Sequence, residues 1–323
     1  MHILRLLLAV IAICICAGVD AQSLTFPGKN AASDKPSLFA EGIVSDGMNN
    51  RDFTISPQGD EIFYSIQQKD FGVSTIIRLH KKNNNWSSPE VASFSGKYKD
   101  LEAVFSPDGK RIYFASNRPV DANDSIDDFD IWFVNRTASG WSEPVHAGFV
   151  VNGPGNEFYP SVAKNGNLYF TGELKESKGR EDIFVCTWQN GNYSSPVSLP
   201  EAINSKNFEY NAFVDPDEQF ILFTSSGRAD DMGRGDLYIS KKDASGTWQA
   251  AQHLPEGINT KFHDYCPYVS PDKKLFFFSS NRSFNKAPFD QKKNYETISS
   301  MLRGAGNGLD DIYWMNAGRL LGH

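Results

Sequence analysis

The feature that most constrains this chain is an internal repeat. Five segments share one pattern of a short apolar run, a turn and an aromatic-rich return. They are Phe53–Ser65, Ala103–Ser116, Pro160–Thr171, Ala212–Ser225 and Pro267–Ser280. Aligned on Pro57, Pro107, Lys164, Pro216 and Pro271, they stand 50, 57, 52 and 55 residues apart. The turn is of the Pro-Asp-Gly type, in which Pro presets φ, Asp bonds its own backbone and Gly accepts positive φ. Each segment is therefore a β-hairpin.

Two more strands follow in each repeat. The third opens with Asp and apolar residues, as in Asp130–Val134, Asp182–Val185, Asp236–Ile239 and Asp311–Trp314, with Thr75–Arg78 as the variant in the first repeat. The fourth opens with an aromatic, at Trp86, Trp141, Tyr193 and Trp248. Four antiparallel strands at a period near 50 make a propeller blade, and blades stack because none buries both faces alone. The expected fold is an all-β, five-bladed propeller over residues 37–316, with repeats near 50–96, 99–152, 156–204, 207–259 and 262–316. The fifth repeat lacks a fourth strand. The segment Ser37–Val44 resembles the fourth-strand ends and is expected to close the ring by joining both termini in one blade. The 24 Phe, 12 Tyr and 6 Trp then serve as inter-blade core. Residues 22–36 read as a linker and 317–323 as a tail.

Residues 1–21 read as a secretory signal peptide. His2 and Arg5 form the positive start, Leu6–Cys16 the apolar stretch and Val19-Asp20-Ala21 the small-residue cleavage site. An uncleaved anchor is the rival, although the run is short for a bilayer span. Cleavage removes one Arg and one Asp, so the net charge of −7 persists. That acidity argues against nucleic acid as a partner. Export implies a periplasmic, outer-membrane-associated or secreted protein. The remaining Cys186 and Cys266 are expected as free, mostly buried thiols, with one bridge as the alternative.

The Ser-Pro-Asp-Gly hairpin, the Ser-Asn-Arg after it (Ser116–Arg118, Ser280–Arg282) and the later Asp-Ile-Tyr resemble the WD40-like PD40 repeats. These build TolB-type propellers of exported bacterial envelope proteins, and Leu254–Arg282 is especially similar to repeats of Bacteroidetes proteins. The resemblance implies a binding propeller whose partner is a protein or an envelope polysaccharide or peptidoglycan-associated component.

Several constellations are candidate sites. Asp100, Glu157, Glu209 and Asp264, with Asn50 in the first repeat, recur near the start of the innermost strand. They would either ring the channel mouth and bind a partner or cation, or accept interblade backbone amides. Arg118, Arg228 and Arg282 recur near Asp130, Asp236 and Asp311 and are expected to form Arg–Asp clips between the middle strands. Asp121, Asn123, Ser125 and Asp127 have the alternation of oxygen ligands that calcium needs, or simply form a solvated acidic loop; no other cofactor is expected. Loops 117–129, 148–157, 172–181, 201–209, 226–235, 255–264 and 281–309 are long and fall on one face, where binding residues concentrate. The last contains an expected short helix, Tyr295–Leu302, ended by Gly304, as a lid or plug.

Enzymatic signals are thin. No Gly-x-Ser-x-Gly elbow occurs, and the six histidines lack metal-ligand spacing. Asp243–Trp248 departs from the sialidase Asp-box spacing. The leading expectation is a non-catalytic binding propeller. The alternative is a glycoside hydrolase-like enzyme with paired carboxylates at the channel mouth.

Overall fold

The computed structural model describes residues 25–28 and 30–322; the signal-peptide reading of residues 1–21 lies outside them. The chain forms a five-bladed β-propeller. Blade 1 comprises Asn50–Ile55, Glu61–Gln67, Ser74–Lys82 and Glu90–Val91. Blade 2 comprises Asp100–Phe105, Arg111–Ser116, Asp130–Thr137 and Val145–His146. Blade 3 has Glu157–Val162, Leu168–Gly172, Asp182–Cys186 and Val197–Ser198. Blade 4 has Phe208–Val214, Phe220–Ser226, Asp236–Lys241 and Gln252–His253. Blade 5 takes Asp264–Val269, Leu275–Ser280 and Asp311–Asn316 from the C-terminal end and Ser37–Leu38 from the N-terminal end, with Ser37 opposite Trp314.

The inner hairpins follow from their turn residues. Gly59 and Gly109 hold φ of 70° and 70°. Blades 4 and 5 lack that glycine, and Glu218 and Lys273 take the same left-handed position at 53° and 59°. The aromatics fill the seams between blades. Phe53 of blade 1 stacks on Phe277 of blade 5 with ring centroids 4.0 Å apart, which welds the closing seam.

The two ends are docked onto the ring. Phe26, in the expected linker, packs edge-on against Phe39 and Trp314. In the expected tail, Gly318–Leu321 forms a helical turn that buries Leu321. Cys186 and Cys266 are both free and buried. No described helix is long and apolar enough to cross a membrane.

One recurrent device holds each outer crossover. The Asn152 side chain accepts from the Ile131 amide at 2.8 Å and donates to the Ile131 carbonyl at 3.0 Å. Asn204 does the same to Ile183 and Asn259 to Leu237. Ser45 makes both bonds to Ile312 in blade 5, and Ser95 accepts from the Ile76 amide in blade 1. A fully buried amide with both partners satisfied fixes where the chain leaves one blade for the next.

Candidate functional site: the channel and its two mouths

The acidic column is buried. Asp100, Glu157, Glu209 and Asp264 have no exposed surface, and neither does Asn50. Asp100 accepts from Ser116 Oγ at 2.6 Å, Arg118 Nη2 at 2.6 Å and Ser95 Oγ at 2.8 Å. Asp264 accepts from Ser280, Arg282 and the Thr260 amide. Glu209 accepts from Ser225, Arg228 and Ser205. These carboxylates are therefore not available to a partner at the surface.

This geometry corrects the expected Arg–Asp clips. Arg118, Arg228 and Arg282 pair with Asp100, Glu209 and Asp264, not with Asp130, Asp236 and Asp311. The reason lies in register. Ser116, Ser225 and Ser280 stand directly opposite the first-strand acid. The arginine just beyond folds back over that serine. The Nη2 that pairs with the acid also donates to the carbonyls of Phe94, Ile203 and Ile258 in the preceding crossover. The clip thus ties a blade to its crossover. Asp130 and Asp236 instead meet His146 Nε2 at 3.1 Å and His253 Nε2 at 2.7 Å. Asp311 accepts from the Gly306 amide at 2.7 Å.

Blades 1 and 3 break the pattern. Opposite Glu157 stands Gly172, and no arginine follows it. Glu157 accepts one bond, from the Gly153 amide at 3.1 Å, and its Oε2 is buried without a partner. Burial pushes its pKa up to about 8, so it is neutral at pH 7. In blade 1 the Asn50 amide is buried with neither its nitrogen nor its oxygen paired.

Two residues further along each innermost strand lies a second column, which sequence reasoning missed. Asp52, Glu102, Tyr159, Asn211 and Cys266 have φ of 58°, 62°, 49°, 48° and 52°. Each sits in a register break of its strand. A left-handed non-glycine residue costs on the order of 1–3 kcal/mol and persists only where its surroundings over-determine it. Here the surroundings are one another. Arg51 Nε contacts Asp52 at 2.9 Å and its Nη2 contacts Glu102 at 2.7 Å. Glu102 also accepts from the Tyr159 amide at 2.7 Å and from Asn211 at 3.2 Å, while Cys266 donates to Asp52 at 2.9 Å. Desolvation outweighs Arg51 and pushes the Glu102 pKa up to about 7. No shared residue type marks this column in the sequence; its members share the backbone bulge. The channel is therefore plugged across its middle by a buried, strained polar network.

Above the plug, on the variable-loop face, is a cavity of about 520 Å³. Arg51, His263 and Tyr265 line it, together with Lys69, Arg234 and Lys261. The His263 ring stacks on Tyr265 at 4.0 Å, and its Nε2 lies 2.9 Å from the Tyr210 hydroxyl. Burial, with Arg51 second, lowers the His263 pKa to about 4, so the mouth carries a neutral ring among cations. Asp310 is the acidic side chain lining it.

The loops around this mouth carry the exposed apolar surface. Among the described residues sixteen large apolar side chains are exposed. Counting the equivalent loops 45–49 and 68–73 with those named above, twelve lie on the variable face, among them Phe149 at 79%, Tyr295 at 75% and Phe284 at 62%. The helix expected at Tyr295–Leu302 runs Tyr295–Arg303, with Asn294 capping its start. None of its residues is buried, so it does not plug the channel.

In the loop read as a possible calcium site, the side chains bond locally. Asp121 accepts from the Asn123 amide and Asp127 from Asn117. Among the described residues no group of three or more His, Cys, Asp or Glu is arranged to hold a metal ion.

No protein-family model and no curated protein matches the sequence. Among solved structures the chain is similar to TolB from Acinetobacter baumannii, at 13% identity and a TM-score of 0.46, covering 84% of this chain and 57% of that one. It thus spans a little over half of that protein's length. It is also similar to a thermostable family-43 glycoside hydrolase at 10% identity and a TM-score of 0.48, covering 78% and 86% of the two chains. The catalytic domain of the Coprinopsis cinerea GH62 α-L-arabinofuranosidase gives 10%, 0.49, 89% and 98%. At such identities these likenesses concern fold and carry nothing about activity.

Proposed function

We propose that this chain is an exported, non-catalytic propeller of the PD40 type that binds a protein or envelope component through its variable-loop face. The observation that supports the reading is the concentration of exposed apolar side chains there, twelve of sixteen among the described residues. Exposed apolar surface on one rim of a rigid scaffold marks an interaction site. The cationic mouth adds a preference for acidic groups on the partner.

The enzymatic alternative needs two carboxylates that a substrate and a water can reach. Asp52 and Glu102 are the axial pair, both are buried, and Arg51 stands bonded to both. That arrangement favours the binding reading.

The test is capture from envelope extracts with the mature chain and with a Phe149→Ser/Phe284→Ser/Tyr295→Ser variant. Loss of captured partners by the variant, with thermal stability retained, supports the proposal. Identical partner sets contradict it.

A further inference from the structure

On the opposite, hairpin-turn face the seam between blades 2 and 3 opens into a cleft of about 770 Å³. Its origin is a substitution within a repeat column. Trp141 fills the seam between blades 1 and 2, with its ring 6.3 Å from Phe63 and 5.9 Å from Phe105. At the next seam the same position is Tyr193, whose hydroxyl meets that of Tyr113 at 3.4 Å. The smaller, polar-tipped ring leaves a hollow with a hydrogen-bonding floor.

Arg111 lies in that cleft. Its Nε donates to Asn135 at 2.9 Å and its Nη1 to the Tyr113 hydroxyl at 3.3 Å, both neutral partners. Lys110, Arg136 and Lys164, which also line the cleft, are each near a carboxylate, of Asp108, Glu61 and Asp217. Arg111 has none among the described residues, although it is half-buried. Its fork is thus pre-set by neutral groups, with Nη2 left for an incoming anion.

The wall is Trp188, 39% exposed, with Tyr193 edge-on at 4.7 Å. It rests on Gly166, where a Cβ would come within 2.9 Å of the indole. Gly166 therefore holds the ring in place as a platform.

We propose that this cleft binds a short saccharide bearing carboxylates, with Arg111 taking a carboxylate and Trp188 stacking on the C–H face of a sugar ring. Hydroxyls and amides of Ser106, Tyr113, Asn135 and Tyr193 suit a polyhydroxylated ligand, and Arg111, the one lining cation with no carboxylate beside it among the described residues, suits an anionic one. A peptide is disfavoured because such capture uses an open strand edge or apolar pockets. The strands that carry Tyr113 and Asn135 are already paired on both sides.

The test titrates the mature chain with trigalacturonate, maltotriose and pentaglutamate, following indole fluorescence and heat. Saturable binding of trigalacturonate, weakened about tenfold or more by Arg111→Gln and similarly by Trp188→Ala, supports the proposal. Maltotriose binds more weakly, and the Phe149→Ser/Phe284→Ser/Tyr295→Ser variant binds like wild type. If Arg111→Gln does not fold, Arg111→Lys keeps the charge without the fork, and the same weakening is expected. Absence of saturable binding at roughly millimolar trigalacturonate overturns the proposal. So does tighter binding of pentaglutamate, or affinity unchanged in the arginine and Trp188 variants.

Discussion

Blades 2, 4 and 5 and blade 3 place a carboxylate at the same point of the innermost strand, yet the two kinds of site are electrostatic opposites. In the first three an arginine folds back over a serine and neutralises the acid inside the protein. In blade 3 the serine is replaced by Gly172 and no arginine follows. Glu157 answers by holding its proton, with a pKa near 8. Burial forbids an isolated charge, and a protein meets that demand with a counter-ion or with a proton. The repeat supplies the position, while its local departures decide the charge.

The largest effect should come from breaking a clip. Arg282→Ala leaves Asp264 buried without its cation and should cost about 3–5 kcal/mol, read from chemical denaturation. A cost below about 1 kcal/mol would mean that the clip blades and blade 3 do not differ in kind. Next comes the crossover amide. Asn204→Ala strands the Ile183 amide and leaves its carbonyl with the Leu199 amide alone, and should cost about 1–3 kcal/mol by the same measurement.

Blade 3 supplies a pH signature. An acid whose pKa rises from 4.5 to about 8 on folding binds a proton more tightly in the native state. Its stabilising contribution is complete below pH 4.5 and is lost as pH climbs to about 8, at up to about 1.4 kcal/mol per pH unit. Glu157→Gln removes this dependence. Its stability should match wild type near pH 5 and exceed it near pH 9. Glu102 acts in the same direction up to about pH 7 and persists in the variant, so the difference curve isolates Glu157. A flat difference curve would show that Glu157 is charged in the fold. The smallest expected change in stability, within about 0.5 kcal/mol, belongs to Phe149→Ser/Phe284→Ser/Tyr295→Ser, because these side chains pack little.

The architecture was legible because each blade repeats its turn chemistry and its aromatic columns, and five partial signals reinforce one another. Ser37–Val44 was recognisable as the missing strand by its likeness to the other fourth-strand ends. The location of Asp100, Glu157, Glu209 and Asp264 was legible for the same reason. Their partners were not. The spacing of Arg118 and Asp130 along the chain suggested a pair, whereas the strand register sends Arg118 back to Asp100. The axial column escaped notice because Asp52, Glu102, Tyr159, Asn211 and Cys266 share no side-chain type. What they share is a backbone bulge, and a bulge leaves no fixed residue signature when non-glycine residues occupy it. The cleft at Arg111 was hidden because it arises from a Trp-to-Tyr change that sequence reading treats as conservative.

If buried carboxylates are architecture and the variable loops are the working surface, a bound partner should report it directly. Amine-reactive cross-linking of the captured complex, mapped by mass spectrometry, distinguishes the two faces because both carry lysines. Cross-links are expected from Lys69, Lys261, Lys286 and Lys292 on the variable-loop face. Cross-links confined to Lys81, Lys110, Lys242 and Lys274 on the hairpin-turn face would contradict it.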